Sequence, residues 1–237
     1  MSQRSFDFKT GEVLLVNKPL KWTSFDVVNK LRYYIRKNIG EKNIKVGHAG
    51  TLDPLADGLL IICTGKKTKE IDTYQGQEKL YSGTFTLGAT TPSFDLETAI
   101  NETFPINHLT NEMIENRATK MVGEQEQFPP IFSAKKIDGQ RAYDRARKGQ
   151  DVELKSKKII ISTFQITNIS LPNVNFIISC SKGTYIRSIA NDFGKLLNTG
   201  GHLTALRREQ IGDFKLGDAY EVEDLIELIL PKNTASV

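Results

Sequence analysis

The sequence predicts an α+β protein that is built on a mixed sheet. Strand-like and helix-like segments alternate irregularly along the chain, and several neighbouring strand-like segments have the short spacing of hairpins. A doubly wound parallel fold would need a regular alternation of strands and helices. The chain has 237 residues, of which 39% are hydrophobic and 25% charged, so it can bury a sizeable core and is not a disordered protein.

Strands are predicted where apolar residues form short runs or alternate with polar residues. Residues 59–63 are a continuous apolar run, which is typical of a strand buried on both faces, and residues 80–88 alternate. The other predicted strands are 11–16, 158–163 and 175–181.

Helices are predicted where apolar residues recur every three or four positions. The clearest helix spans residues 24–37, because Thr23 and Asp26 have the spacing of a capping box at its start. Start and stop signals predict three more helices at 111–121, 185–197 and 221–230. One or two helical turns are expected at 68–74, and a short helix at 141–148.

The most informative segment is residues 47–60, Gly-His-Ala-Gly-Thr-Leu-Asp-Pro-Leu-Ala-Asp-Gly-Leu-Leu. Pro54 fixes its own φ and disfavours helical backbone at Asp53, while the glycines let the backbone pass close to another molecule. The apolar strand that follows would anchor this loop in the core. An Asp-Pro pair is also ordinary turn punctuation, so the residues alone leave open whether Asp53 is a reactive carboxylate or only a turn residue.

Basic residues are concentrated in one part of the chain. The net charge is only +4, but residues 131–160 contain nine basic residues against four acidic ones. Such a stretch suits a phosphate backbone, although a solvated charged face is the commoner explanation of a single run.

The sequence gives little support for a nucleotide-binding loop or a metal site. Residues 65–68, Gly-Lys-Lys-Thr, superficially resemble the end of a phosphate-binding loop, but the preceding Gly58 is seven positions earlier instead of five. His48, His108 and His202 are far apart and have no Cys or carboxylate partner at ligand spacing. We therefore expect no metal and no cofactor.

The cysteines and the N-terminus indicate an intracellular location. Cys63 and Cys180 lie in apolar, strand-like segments and are predicted to be buried thiols. The first residues lack an apolar signal region, and no apolar run approaches the ~20 residues that span a bilayer. We expect a cytoplasmic protein with no membrane partner.

The pattern Gly-His-x-Gly-x-Leu-Asp-Pro-x-Ala-x-Gly-x-Leu around Asp53 resembles the catalytic signature of the TruB family of tRNA pseudouridine synthases. A second segment at residues 180–189, Cys-Ser-Lys-Gly-Thr-Tyr-Ile-Arg-Ser-Ile, resembles the arginine motif of that family. Shorter matches lie at 14–19, 79–81 and 206–208. The resemblance thus covers roughly residues 11–230.

The resemblance implies the pseudouridine synthase fold, a large mixed, mainly antiparallel sheet flanked by helices, as a single catalytic domain over residues 11–230. The basic stretch corresponds to the family's RNA-binding thumb, an insert at about residues 130–153. Because the chain stops at Val237, we expect no C-terminal PUA domain of the kind that many relatives carry. Residues 90–95 depart from the family's usual Thr-Asp-Thr-x-Asp run, which puts RNA contacts at that segment in question.

The activity implied by the resemblance is isomerisation of uridine 55 (tRNA numbering) in the T loop of tRNA, on a flipped-out base. The protein would act without a cofactor, as a monomer, with the T-arm stem-loop as its partner. Asp53 would be the catalytic carboxylate and Arg187 its salt-bridge partner. Tyr81 would complete the catalytic set and stack on the target base.

The resemblance also implies residues that bind the RNA or the uridine. His48 would contact the RNA where the uridine has left the stack. Tyr185 and Leu206 would line the uridine pocket, and Lys18 would support the loop. The thumb residues expected to bind phosphates are Lys135, Lys136 and Arg141.

Two alternatives remain open at this stage. The chain could be an RNA-binding folding factor without the chemistry, but a pure binder would have no use for the Asp53 carboxylate near phosphates. It could also be a guide-RNA-dependent rRNA synthase of the related Cbf5 type, which the expected absence of a C-terminal domain disfavours. The sequence does not decide whether Asp53 attacks C1′, attacks C6 of the uracil, or assists elimination of the 2′ proton.

Overall fold

The computed structural model of the chain describes residues 5–130 and 155–230, together with the backbone of residues 136–137 and 140–141. The chain divides into two compact units, a first unit of residues 1–79 and 207–237 and a second unit of residues 80–206. Ten of the described strands belong to one mixed, mainly antiparallel sheet, and the described residues also form five α-helices. The predicted fold class is confirmed.

The N-terminal part of the first unit centres on its third strand. Its elements are β1 (Val13–Lys18), α1 (Ser24–Ile39), β2 (Val46–His48), β3 (Ala56–Thr64), a 3₁₀ helix (Gly65–Glu70) and α2 (Ile71–Gly76). Strands β1 and β2 both pair antiparallel with β3, so that Val16 lies opposite Leu60 and His48 opposite Ile62. Residues 58–64 are all buried, which explains the continuous apolar run in the sequence.

The predicted capping box at the start of α1 is present. The Thr23 hydroxyl accepts from the Asp26 N–H at 3.0 Å, and the Asp26 carboxylate accepts from the Thr23 N–H at 2.8 Å. Gly40 ends the helix in the left-handed conformation, with φ 69°.

The second unit is a sheet region with an aromatic core. Its elements are β4 (Lys79–Leu87), β5 (Ala89–Thr90), β6 (Glu102–Thr103), α3 (Asn111–Lys120), β7 (Gly123–Gln127), β8 (Lys136–Ile137), β9 (Gln140–Arg141), β10 (Lys157–Ser170), β11 (Asn173–Cys180) and α4 (Ile186–Leu196). Strand β10 pairs antiparallel with both β7 and β11. Phe85 packs its ring 4.1 Å from Phe176 and 5.8 Å from Phe193, which fastens α4 to the strands.

The C-terminal segment returns the chain to the first unit. It contains β12 (Gly201–Ile211), β13 (Phe214–Lys215), a 3₁₀ turn (Leu216–Asp218), β14 (Tyr220–Glu221) and α5 (Val222–Ile229). Strand β14 lies parallel to β1, and this pair makes the sheet mixed. Val222, Leu225 and Ile226 join α1 and β1 in one hydrophobic core.

Strand β12 is the long element that the sequence did not predict. Its run Leu206-Arg207-Arg208-Glu209 has no apolar alternation, yet the Arg208 side chain is 1% exposed. The predicted strands and helices elsewhere in the described residues are present with ends shifted by a few residues, except that β10 extends to Ser170. Residues 142–148 of the predicted short helix lie outside the described residues, and Arg141 belongs to β9.

Candidate active site

The Asp53 loop connects β2 to β3 and is tied to the start of α1. The Ser24 hydroxyl accepts from the Leu52 N–H at 2.8 Å and donates to the Leu52 carbonyl at 3.2 Å. On the other side, the Lys21 N–H donates to the Pro54 carbonyl at 2.7 Å. The Asp53 carbonyl itself accepts from the Ala56 N–H at 3.0 Å. The backbone is therefore held on both sides of Asp53, as a preorganised catalytic group requires.

Arg208 fixes the rest of the loop from strand β12. Its Nε donates to the Leu59 carbonyl at 2.7 Å, and its terminal nitrogens donate to the Thr51 and Gly50 carbonyls at 3.3 and 3.2 Å. Gly58 has φ 104°, and a Cβ atom there would lie 2.5 Å from the Arg208 carbonyl oxygen. Only glycine fits at this contact between the loop and β12.

Lys18 is fully buried below the same loop. Its ammonium donates to the carbonyls of Pro19 at 2.9 Å and Trp22 at 2.6 Å, and it thereby shapes the turn that precedes α1. Burial lowers the pKa of Lys18 to about 8, and the negative charges of Asp57 and Asp53 oppose this shift. The support of the Asp53 loop by Lys18 and a direct contact of Lys18 with RNA both stay predictions.

His48 and Asp53 are both half-buried within residues 47–60, the segment that carries the family signature. Burial, together with the charge of Arg208, lowers the pKa of His48 below its ordinary value of 6.5. The lowered pKa favours the neutral form of the His48 imidazole. A neutral ring is better suited to a base or sugar than to an ion pair with a phosphate.

In the second unit, Tyr185 is held at the start of α4 by Gln127 of strand β7. The Gln127 amide accepts from the Tyr185 N–H at 2.8 Å and donates to the Tyr185 carbonyl at 3.0 Å. The Lys157 ammonium lies 5.8 Å from the centre of the Tyr185 ring, within the range of a cation–π interaction. The backbone at the arginine motif is thus fixed by its neighbours.

Arg187 is buried in the first turn of α4 and faces a carboxylate. Its Nη1 lies 3.4 Å from Oδ2 of Asp95 and 3.4 Å from the Ser93 carbonyl oxygen, and both charged side chains are 6% exposed. The Asp95 Oδ1 accepts in turn from the Glu97 N–H at 2.9 Å. Sequence reasoning did not assign a role to Asp95, although it lies in the segment 90–95 that departs from the family pattern. The pairing of Arg187 with Asp53 stays a prediction.

The remaining predicted residues occupy varied positions. Tyr81 lies in β4 with 8% of its surface exposed, and Leu206 lies partly buried in β12. Lys135 lies outside the described residues, and of Lys136 and Arg141 only the backbone is described, as part of the antiparallel pair β8–β9. Both cysteines are buried, as predicted, and burial raises the pKa of the Cys63 thiol to about 11.

Within residues 5–130 and 155–230, no three side chains of His, Cys, Asp or Glu come together as a metal site would require. No helix in the described part of the chain is long and apolar enough to cross a membrane.

Comparison with known proteins identifies the family. Residues 36–186 match the model of the TruB family pseudouridylate synthase N-terminal domain, and residues 187–236 match that of the tRNA pseudouridylate synthase B C-terminal domain. The tRNA pseudouridine synthase B of Phocaeicola vulgatus is 56% identical over 221 residues, covering 93% of this chain and 94% of the relative. That of Flavobacterium johnsoniae is 54% identical over 217 residues, covering 91% and 95%.

Solved structures of other proteins are similar to this chain at the level of the fold. The chain is similar to a structure described as a Cbf5-Nop10-Gar1 complex, with a TM-score of 0.69 and 24% identity over 93% of this chain. It is also similar to an H/ACA RNP bound to a substrate RNA containing 2′-deoxyuridine, with a TM-score of 0.65 and 23% identity over 91% of this chain. The chain spans about half the length of these two matched chains, 54% and 52%. On the family models and the close relatives, the chain belongs to the TruB family of pseudouridine synthases, which are isomerases.

Proposed function

We propose that the chain converts uridine 55 in the T loop of tRNA to pseudouridine, with Asp53 as the reactive carboxylate. The observation that carries the proposal is the anchoring of the Asp53 loop by Ser24, Lys21 and Arg208 within a segment that matches the family signature. A simple surface turn would not need three separate backbone anchors. A carboxylate that must meet a reacting carbon at a fixed distance does need them.

The reaction requires the target base to leave the helical stack. The bond between N1 and C1′ breaks, the uracil rotates, and a new bond joins C1′ to C5, while the C5 proton is lost and N1 gains a proton. Flipping a nucleotide costs a few kcal/mol and is offset by stacking in a pocket. We assign Tyr81 and Tyr185 to the aromatic surface of that pocket and Leu206 to its apolar wall. His48 would contact the RNA at the position that the uridine leaves.

The charge of Asp53 matters for each possible route. Either nucleophilic route needs the ionised carboxylate, and a neighbouring cation favours that form. We propose Arg187 as this cation, and its buried contact with Asp95 at 3.4 Å supports a fixed position of the guanidinium. The attack at C1′, the attack at C6 and the elimination of the 2′ proton all remain compatible with these roles.

The same proposal implies an RNA partner and a cellular location. The T-arm stem-loop would be held by the basic insert at about residues 130–153, with Lys135, Lys136 and Arg141 on its phosphates. The enzyme would act in the cytoplasm as a monomer and without a cofactor. Phosphate contacts would position the RNA, and the pocket would select the uridine.

The direct test is to incubate the protein alone with an unmodified T-arm stem-loop and to map pseudouridine by carbodiimide labelling and primer extension. We expect a stop at uridine 55 and none in a control RNA with cytidine at that position. Binding without conversion would favour the folding-factor alternative. Conversion only after a guide RNA is added would favour the Cbf5-type alternative.

A further inference from the structure

A strained turn presents a lysine beside the Asp53 loop. Lys21 is exposed and has φ 69°, a left-handed conformation that costs a non-glycine residue about 1 kcal/mol or more. Its N–H donates to the Pro54 carbonyl at 2.7 Å, so the lysine is next to the residue that follows Asp53. The hydrogen bond needs only the backbone. A glycine would satisfy the turn without strain, so the fold alone does not explain a lysine side chain here.

Two exposed apolar side chains flank this lysine. Leu20 is 51% exposed in the same turn, and Phe25 is 56% exposed in the first turn of α1. Neither belongs to the hydrophobic core clusters of the first unit. Exposed aromatic residues beside a functional loop are candidates for contact with a ligand.

A guanidinium group that is held by hydrogen bonds lies near the Phe25 ring. The Arg32 guanidinium carbon lies 5.7 Å from the ring centre. Arg32 is itself held in place, because it donates to Asn29 Oδ1 at 3.0 Å and to the Val46 carbonyl of β2 at 2.8 Å. Strand β2 leads directly into the Asp53 loop. The aromatic ring and the planar cation are therefore positioned relative to the loop before any ligand arrives.

The chain around these residues is as basic as the stretch 131–160. Residues 21–45 contain seven basic residues and two acidic ones, an excess of five that equals the excess over residues 131–160. The two acidic side chains have local partners, since Asp26 caps α1 and Glu41 pairs with Lys9. Glu223 of α5 pairs with Lys30 at 3.4 Å, and the remaining excess of positive charge gives the region a positive field toward an approaching polyanion.

We propose that Leu20, Lys21, Phe25 and Arg32 form a second RNA-contact surface, the ridge, at the edge of the Asp53 loop. An RNA nucleotide that is not base-paired and lies near the target uridine stacks on Phe25 with Arg32 behind the ring, while Lys21 binds its phosphate. This combination of aromatic face, planar arginine and lysine is the chemistry with which proteins hold unstacked nucleotides. The inference rests on the proposed function for the identity of the RNA.

The strain at Lys21 provides a clean test. Lys21→Gly removes the charge and relaxes the backbone, so the variant should unfold at the same denaturant concentration as the wild type or a higher one. We expect its dissociation constant for unmodified T-arm RNA to rise about fivefold at physiological salt, and that of Phe25→Ala about tenfold, as stacking loss predicts. Phe25→Tyr should restore wild-type binding.

Two control variants show whether a loss of RNA affinity comes from the ridge itself or only from a lower net charge or a smaller exposed aromatic area. Lys215→Gln removes the same charge from an exposed position in β13, and Tyr33→Ala removes an aromatic side chain that is 62% exposed on α1. Both should bind within twofold of the wild type.

The binding assay also keeps this inference separate from the proposed function. If Lys21→Gly and Phe25→Ala bind T-arm RNA like the wild type, the ridge is not an RNA contact, whether or not the wild type makes pseudouridine. If the wild type makes no pseudouridine but both variants lose affinity, the ridge stands and the assigned reaction is wrong.

Discussion

At the scale of single residues, two buried cations hold the Asp53 loop and the turn before α1, which is itself hydrogen-bonded to the loop through Lys21. Lys18 donates to carbonyls in the turn before α1, and Arg208 donates to three carbonyls of the loop and β3. Buried charges are costly unless they are well hydrogen-bonded. The molecule accepts this cost beside the loop that, under the proposed function, carries the reactive carboxylate.

The lowered pKa of Lys18 predicts a pH dependence of stability. Between pH 8 and 10.5 the unfolded chain retains the Lys18 proton while the folded chain loses it, so deprotonation favours the folded state as pH rises. The free energy of unfolding of the wild type, relative to Lys18→Met, should therefore increase through this window by up to about 1.4 kcal/mol per pH unit. Urea unfolding at several pH values measures this difference.

Other titrating groups cancel in that comparison, because both proteins carry them. Below pH 8 the relative stability should not vary with pH. A constant difference from pH 7 to 10.5 would mean that the Lys18 ammonium is not destabilised by burial.

The sequence could identify Asp53 through its motif, but it could not identify the residues that hold it. Ser24 is a small polar residue at a helix start, where a hydroxyl usually serves the helix itself. Arg208 and Asp95 are charged, and charged residues are normally exposed. Their burial depends on distant carbonyls and on a partner charge, which the local pattern does not contain.

At the scale of secondary structure elements, β12 links the loop to the rest of the first unit. Its residue Arg208 is buried, whereas the neighbouring Arg207 side chain is 43% exposed and lies 3.4 Å from Asp57. Alternation along the strand thus turns one arginine inward and the other outward. The same alternation explains why the strand was missed, since its inward residue is polar.

We predict that Arg208→Met lowers the free energy of unfolding by about 2 to 5 kcal/mol, because the carbonyls of Gly50, Thr51 and Leu59 lose their donor. The folded variant should also lose most of its single-turnover rate, since the Asp53 loop is no longer fixed. Urea unfolding and a single-turnover assay under folding conditions measure the two effects.

Arg207→Met is the matched control. Its exposed ion pair is worth at most about 1 kcal/mol, so stability should hardly change. A folded Arg208→Met with the wild-type rate constant would show that the hydrogen bonds to the loop are not needed for catalysis.

At the scale of the whole molecule, the irregular alternation of strands and helices predicted the α+β class correctly. The sequence did not predict that the chain returns after the second unit to complete the first. The parallel pair β1–β14 joins residues about 200 positions apart, and such long-range pairing has no local signal. The single domain over residues 11–230 stays a prediction beside the two compact units.

The predicted thumb should determine how strongly RNA binding by the intact protein depends on salt. Each phosphate contact contributes about 0.7 to 0.9 to the slope of log affinity against log salt. Neutralising Lys135, Lys136 and Arg141 together should therefore flatten the slope by roughly two to three. Affinity should fall for all RNA sequences alike, and the selected uridine should stay the same. An unchanged slope would place the RNA elsewhere, for example along Lys66, Lys67 and Arg207.

The proposed role of the Asp53 carboxylate in the chemistry is tested most directly by tritium release from T-arm RNA containing 5-tritiated uridine. Asp53→Asn keeps the shape of the side chain and removes its charge. We predict that the variant folds and binds this RNA like the wild type but releases no tritium above background, whereas the wild type releases it. Substantial tritium release by Asp53→Asn would contradict the assignment.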